Sequence, residues 1–254
     1  GKGALQDLEL TPGDLAALTD HYDGGILSAD ALLGDFFQQL RARGLYDRAL
    51  IVVTSDHGES LGERGVIGHG GLYLEQLLVP LILKPPQGWS LPTTQVVEPV
   101  ELVDLLPTLC ALCSIPVGGD LDGRSLLPTL YRGVRGRDYL VAQTSFEEAP
   151  AFRSSPAKRT LLRPGRWQVI HDVDRSEAEF FALDQDPLGL SAHSIRPDEF
   201  SPLLDVLLER TPDGPRAVRR PAATVDFSPG LLHELEHLGY GAAALAGQPV
   251  KGDG

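Results

Sequence analysis

The chain has 254 residues, 42% of them hydrophobic and 22% charged, which is ordinary for a globular protein and enough for one large domain or a medium one with an appendage. Its formal charge of −13 opposes a phosphate backbone, so no nucleic-acid partner is expected; a bound cation would still let an anionic substrate approach. No segment has the apolar length needed to span a bilayer.

Thr11-Pro12-Gly13-Asp14 reads as a helix start, with Thr11 as cap and Asp14 near the positive end. Leu15, Leu18, Tyr22, Ile26, Ala29, Leu33, Phe36, Phe37 and Leu40 recur at helical spacing. The helix should stop near Arg43, before Gly44, and Gly24-Gly25 marks a kink or a close contact. Ala49–Thr54 is apolar and β-branched, as expected of a strand buried on both faces of a parallel sheet. A second strand is expected at Val79–Leu83 and a helix at Leu102–Cys113, giving an α/β layer structure. After about residue 136 the texture changes. Tyr139–Thr144, Arg159–Arg163, Trp167–His171 and Glu179–Leu183 read as short antiparallel strands. Helices near Pro202–Glu209 and Ser228–Leu238 follow, separated by a Pro- and Arg-rich linker.

The chemistry concentrates in TSDHGESLGERGVIGHG. Asp56 and His57 follow a buried strand, and ligands collect beyond the carboxyl ends of strands in open α/β sheets. A carboxylate oxygen and a neutral imidazole both suit a divalent cation, and Gly58 lets the chain turn tightly. His69, in a glycine-rich loop, could approach a substrate oxygen.

Other motifs have plainer readings. Cys110 and Cys113 lie in an apolar helical stretch and read as two small buried residues. His233-Glu234-Leu235-Glu236-His237 matches a zinc-protease pattern, but it also forms the polar face of a short amphipathic helix, which is the preferred reading. Asp184 and Asp186 read as turn formers before Pro187, and Arg216, Arg219 and Arg220 as a solvated linker.

Taken in order, Tyr22-Asp23-Gly24 with Asp30, GLYDRALIVVTSDHGESLGE, GHGGLYLEQLLVPLILKPP and LVDLLPTLCALCSIPVGGDLDGRSLLP closely resemble the sulfatase family of the alkaline-phosphatase superfamily. FFALDQDP and LGYGAA continue the likeness. The resemblance implies an alkaline-phosphatase-like sheet flanked by helices, present in part, with a small antiparallel C-terminal subdomain. The corresponding division is 1–135, 136–200 and 201–254, the last holding C-terminal helices and tail. It implies that Asp56 and His57 ligate one divalent metal: Ca2+ first, with Mg2+, Mn2+ or Zn2+ as alternatives. His69 stands where sulfatases often carry a Lys, and would act catalytically, by giving a proton to the leaving oxygen or by holding the anion. Tyr22, Asp23 and Asp30 would tie the first helix to the core.

Two departures matter. Leu78 replaces the Arg that often precedes Val-Pro. No Cys-x-Pro-x-Arg segment, whose Cys becomes the formylglycine nucleophile, is present. The chain has no methionine and opens GKGALQ, so the catalytic half of the domain, with formylglycine and two further metal carboxylates, is expected upstream of Gly1. The missing half is then a partner of this one, and without it weak metal binding, no turnover, open sheet edges and exposed apolar surface are expected.

The expected function is part of a metal-dependent sulfatase that cleaves an anionic sulfate ester. A phosphotransferase or phosphonate or phosphodiester hydrolase of the same superfamily is the second reading, and a non-catalytic interaction module the third. Extracytoplasmic placement, periplasmic or secreted, is implied by resemblance.

Overall fold

A computed structural model describes residues 10–207, apart from 92–94, 118–120, 135, 145–157, 174, 176, 195–202 and 204. The HELEH segment, the Arg216–Arg220 cluster, LGYGAA and the helix expected at Ser228–Leu238 lie outside the described residues. Of the helix expected near Pro202–Glu209, residues 203 and 205–207 are described and helical, with Leu207 fully buried.

The first helix, α1 (Pro12–Ala42), starts as its sequence directs. Thr11 Oγ1 accepts from the Asp14 backbone N–H at 3.2 Å, and the Thr11 N–H donates to Asp14 Oδ2 at 2.9 Å, closing a reciprocal cap. The Thr11 hydroxyl, which donates to Asp14 Oδ2 at 2.6 Å, and then the Thr11 N–H hold the Asp14 carboxyl below its ordinary value. Past Arg43 the chain leaves the helix through Gly44, at φ 66°.

The helix departs from expectation along its length. It runs unbroken through Gly24-Gly25, and a Cβ added to either glycine would meet no described atom of the surroundings within 4 Å. None of its residues is buried, and Ile26, Leu27, Leu32 and Phe36 are exposed. Tyr22, Asp23 and Asp30 are exposed as well, so they do not tie the helix to a core of described residues. Its contacts are made near its ends. The Leu15 side chain covers Gly62, where an added Cβ would lie 2.7 Å from Leu15 Cδ2. Phe37 meets Tyr46 edge-on at 5.7 Å, with Arg41 over the same ring.

The two apolar runs form β1 (Ile51–Thr54) and β4 (Leu81–Lys84), paired antiparallel from Ile51↔Lys84 to Thr54↔Leu81. They are neither parallel nor buried on both faces, as the sequence had led one to expect. A parallel pair needs a crossover, usually a helix along the sheet. The chain between these strands instead folds into the hairpin β2 (Ser60–Leu61) and β3 (Ile67–Gly68) and the four-residue helix α2 (Leu74–Leu77), then returns in the opposite direction.

A 3-10 turn at Leu102–Asp104 leads into α3 (Leu105–Leu112), where the sequence places a helix. Cys113 caps this helix and is exposed, and Cys110 is half-buried, so the pair is not the buried one expected. Asp104, 1% exposed, anchors the helix start. Its carboxylate accepts from the Arg124 N–H at 2.8 Å and from Arg137 Nη1 at 2.5 Å. Arg137 also pairs with Glu101 at 2.8 Å, and Glu101 accepts from the Val141 N–H. The short helix α4 (Leu127–Arg132) ends at Gly133, at φ 59°.

The remaining described chain is a meander of five antiparallel strands: β5 (Leu140–Thr144), β6 (Lys158–Arg163), β7 (Trp167–Asp172), β8 (Glu177–Phe181) and β9 (His193–Ser194). Four of these match the expected hairpin strands to within two residues at each end. Asp184 and Asp186 form the turn assigned to them, and Asp186 Oδ2 accepts from the Ser191 N–H at 2.8 Å. The sheet supplies Leu162, Ile170 and Phe181 to a buried cluster completed by Leu183, by Leu72 from the loop before α2 and by Leu74 at the start of α2. That cluster fastens the glycine-rich loop to the sheet.

Candidate active site

The site begins where β1 ends. Ser55 Oγ donates to the His57 carbonyl at 2.7 Å, turning the chain sharply. The turn must pass close to α2: the Gly58 N–H donates to the Gln76 carbonyl at 2.8 Å, and a Cβ on Gly58 would lie 2.0 Å from the Glu75 carbonyl oxygen. Only glycine fits there.

The turn brings Asp56 and His57 to one side of the backbone. Asp56 Oδ1 accepts from the His57 N–H at 3.0 Å and lies 3.8 Å from His57 Nε2. The side chain of Asp56 is 74% exposed and that of His57 37%. His57 Nδ1 lies 2.9 Å from the Gly58 carbonyl, an acceptor, so Nδ1 carries the proton and the Nε2 lone pair is free to bind a cation.

The β2–β3 hairpin places the third sequence-predicted residue. Its ladder pairs Leu61 with Ile67 and Ser60 with Gly68. The next pair in that register is Glu59 and His69, and His69 Nδ1 sits 2.8 Å from Glu59 Oε2. The His69 ring stacks on His57, centroids 4.0 Å apart and planes 24° from parallel. Metal-ligating atoms of His57, Glu59 and His69 all lie within 4.8 Å of one another. Of the residues singled out in the sequence, His57 and His69 meet in this cluster, joined by Glu59, which sequence reasoning passed over; Asp56 contacts His57 but is not among the three clustered donors. The signal for it was the turn chemistry of SLGERG: Gly62 and Gly65 permit a tight hairpin whose register sets Glu59 beside His69.

A polar layer supports the hairpin. Ser60, fully buried, donates to Glu75 Oε1 at 2.5 Å, and Gln76 Nε2 donates to Ser60 Oγ at 2.7 Å and to the Gly68 carbonyl at 3.2 Å. Arg64 binds Glu75, donates to the Gly189 carbonyl at 2.9 Å and lies over the Tyr73 ring. Burial, reinforced by Glu179, pushes the Tyr73 phenol above its ordinary range, and its hydroxyl donates to Glu179 on β8 at 3.3 Å. Gln168 of β7 donates to the Leu72 carbonyl at 2.7 Å. The meander therefore holds the site loop by polar as well as apolar contacts.

Residues 7–115 match the profile of the family described as Sulfatase. The chain belongs to the sulfatase family, carrying part of its domain. It is 31% identical over 206 residues to the multifunctional alkaline phosphatase superfamily protein PehA of Trinickia caryophylli, covering 80% of this chain and 38% of that one. It is 27% identical to arylsulfatase K of Bos taurus, over 78% of this chain and 37% of that one. The chain thus spans about two fifths of the length of these relatives. Among solved structures, the phosphonate monoester hydrolase of Silicibacter pomeroyi superposes with a TM-score of 0.68 at 27% identity, covering 83% of this chain and 44% of that one. The phosphonate monoester hydrolase of Agrobacterium radiobacter, with a TM-score of 0.69 at 24% identity, has the same fold. The fold class is that of sulfatase- and alkaline-phosphatase-like proteins, mixed helix and strand with small antiparallel sheets.

Proposed function

We propose that this chain forms part of a metal-dependent hydrolase of sulfate esters, in which Asp56 and His57 hold a divalent cation and His69 serves the departing oxygen. The observation that carries the reading is the turn after β1: its carboxylate and imidazole stand 3.8 Å apart, and the Gly58 carbonyl leaves His57 Nε2 available. The donor set fits a divalent cation, and Ca2+, Mg2+, Mn2+ and Zn2+ are the candidates. When bound, such a cation polarises the ester's non-bridging oxygens and lowers the pKa of the nucleophile. The nucleophile and two further carboxylates are proposed to come from the other part of the domain, as formylglycine in a sulfatase. His69, between Gly68 and Gly70, can come close to an ester oxygen and give it a proton or hold the anion. The 254-residue chain by itself is proposed to be inactive. The proposal keeps the division at 1–135, 136–200 and 201–254, supported by the extent of the meander from Leu140 to Ser194.

A second reading, hydrolysis of a phosphonate or phosphodiester, is supported by the likeness to proteins named PehA and phosphonate monoester hydrolase. The experiment is an assay of the complete gene product on an aryl sulfate and on an aryl phosphonate monoester, each with and without a chelator. Chelator-sensitive cleavage of the sulfate is expected, with the phosphonate slower. A reversed preference selects the second reading, and no cleavage of either ester sinks both. Among the described residues no helix is long and apolar enough to cross a membrane. Placement outside the cytoplasm is part of the proposal by family likeness.

A further inference from the structure

One ring nitrogen of His69 is already engaged. Glu59 Oε2 lies 2.8 Å from His69 Nδ1. A carboxylate only accepts hydrogen bonds, so Nδ1 carries the shared proton, and Nε2 is left for a second partner. The rings of His69 and His57 lie nearly parallel, their planes 24° apart and their centroids separated by 4.0 Å. Nitrogens in such a stack project side by side rather than toward one point, so the arrangement does not read as two imidazoles on a single ion.

The fold fixes both members of the pair. Ser60 pairs with Gly68 in the β2–β3 ladder, so Glu59 and His69 leave the hairpin side by side. One buried amide clamps their neighbours: Gln76, 3% exposed, donates through Nε2 to Ser60 Oγ at 2.7 Å and to the Gly68 carbonyl at 3.2 Å. Gly68, at φ 99°, takes a conformation that favours glycine, and Glu59 Oε1 lies against it, 3.7 Å from where a Cβ would stand. Glu59 is the more sheltered partner, its side chain 24% exposed against 47% for His69. A carboxylate braced by the hairpin therefore holds a more open ring.

We propose that Glu59 is the positioning residue of His69: it grips the ring through Nδ1, so that Nε2 is the nitrogen that meets the departing ester oxygen. This role rests on the functional reading of His69 and deepens it, by naming the residue that sets which nitrogen acts. Nε2 is then the atom at which a proton is held and passed on, or at which the anion is bound. The carboxylate offsets the charge of a ring that carries a proton on each nitrogen. Without Glu59 the ring turns about its side-chain bonds and its proton exchanges between the nitrogens, so the productive arrangement becomes one of several.

The test uses the complete gene product, with bound metal and the rate on whichever aryl ester it cleaves faster measured for each variant. Glu59→Ala should lower kcat by on the order of 100-fold, with KM and metal content little altered. Glu59→Gln, whose amide oxygen still accepts from Nδ1, should recover most of that loss. In a His69→Ala background Glu59→Ala should slow the enzyme no further, because the two residues act as one unit. Nitrogen NMR of the histidine-labelled parent, with the His69 signals assigned by their loss in His69→Ala, should show a protonated Nδ1; that measurement stands even where a Glu59 variant does not fold. Losses that multiply in the double variant, an unprotonated His69 Nδ1, or loss of metal from Glu59→Ala would each overturn the assignment. A Glu59→Ala enzyme as fast as the parent, where His69→Ala is slow, also overturns it and leaves the role of His69 standing. If His69→Ala is itself as fast as the parent, the functional reading of His69 fails and takes the role of Glu59 with it.

Discussion

The imidazole of His69 lies face to face with that of His57, 4.0 Å between centroids, although twelve positions separate them in the chain. A residue proposed to bind metal and one proposed to serve the leaving group therefore act at one place. If His69 gives a proton to the departing oxygen, His69→Ala in the complete enzyme should lower kcat by about 10²–10⁴-fold, with KM little altered. The loss should shrink for an ester whose leaving group is a weak base, because such a group departs without a proton. Rates on two aryl esters of different leaving-group basicity check this; an equal loss on both would show that His69 only holds the anion.

Asp56 carries the only carboxylate in the turn itself, and its Oδ1 faces His57 Nε2 at 3.8 Å. Asp56→Ala in the complete enzyme is expected to abolish turnover and release the metal, read by metal analysis of the purified protein. His233→Ala should leave both nearly intact. Loss of metal from the His233 variant would mean that the helical pattern around it had been misjudged.

Gly58→Ala probes the turn without touching a donor. The added methyl would meet the Glu75 carbonyl at 2.0 Å, and that contact is backbone, which cannot rotate away. Overpacking of this kind costs about 1–3 kcal/mol, and the Gly58 N–H bond to Gln76 would stretch with it. The expected result is a lower urea midpoint together with impaired metal binding. An unaltered midpoint would show that the turn and α2 can separate.

These features were unequally legible in the sequence. Thr11, Pro12 and Gly44 mark the ends of α1 because capping is local chemistry. The strands of the meander were visible because their turns are written in Gly, Pro and Asp. Pairing was not visible. Ile51–Thr54 reads as a buried parallel strand by its composition, yet whether it runs parallel to Leu81–Lys84 depends on how the chain between them is routed. Glu59 escaped notice for the same reason, since only the register of a two-residue ladder sets it beside His69. The close approach of Gly58 to α2 and the burial of Gln168 under Leu72 are equally tertiary facts.

Asp104 offers a stability prediction far from the site. Its carboxylate is 1% exposed and paired with Arg137, which also binds Glu101. Asp104→Ala leaves that guanidinium short of a partner and removes the acceptor for the Arg124 N–H. Breaking a buried pair from one side costs about 3–5 kcal/mol, so denaturation should shift to much lower urea. The α3 end of the chain should loosen first, which hydrogen exchange at Leu105–Leu112 would register.

The pH dependence of stability should carry the mark of His171, on β7. Burial, reinforced by the nearby Arg159 guanidinium, holds its imidazole below the ordinary value of 6.5, against the opposing pull of Asp172. In the unfolded chain His171 takes up a proton as pH falls through about 6.5, whereas in the folded chain it stays neutral until lower pH. The unfolded state therefore binds more protons in that window, and stability falls as the solution is acidified, levelling off below the folded pKa. His171→Gln should remove this slope while leaving stability at pH 8 close to that of the parent. Asp14 titrates in a separate window: its contribution is present above 3.8 and is lost as pH falls further. Urea denaturation at closely spaced pH values from 7.5 down to about 4.5 separates the two, since Asp14 still holds its charge over that range. A slope between pH 6.5 and 5 that survives unchanged in His171→Gln would place the responsible group elsewhere.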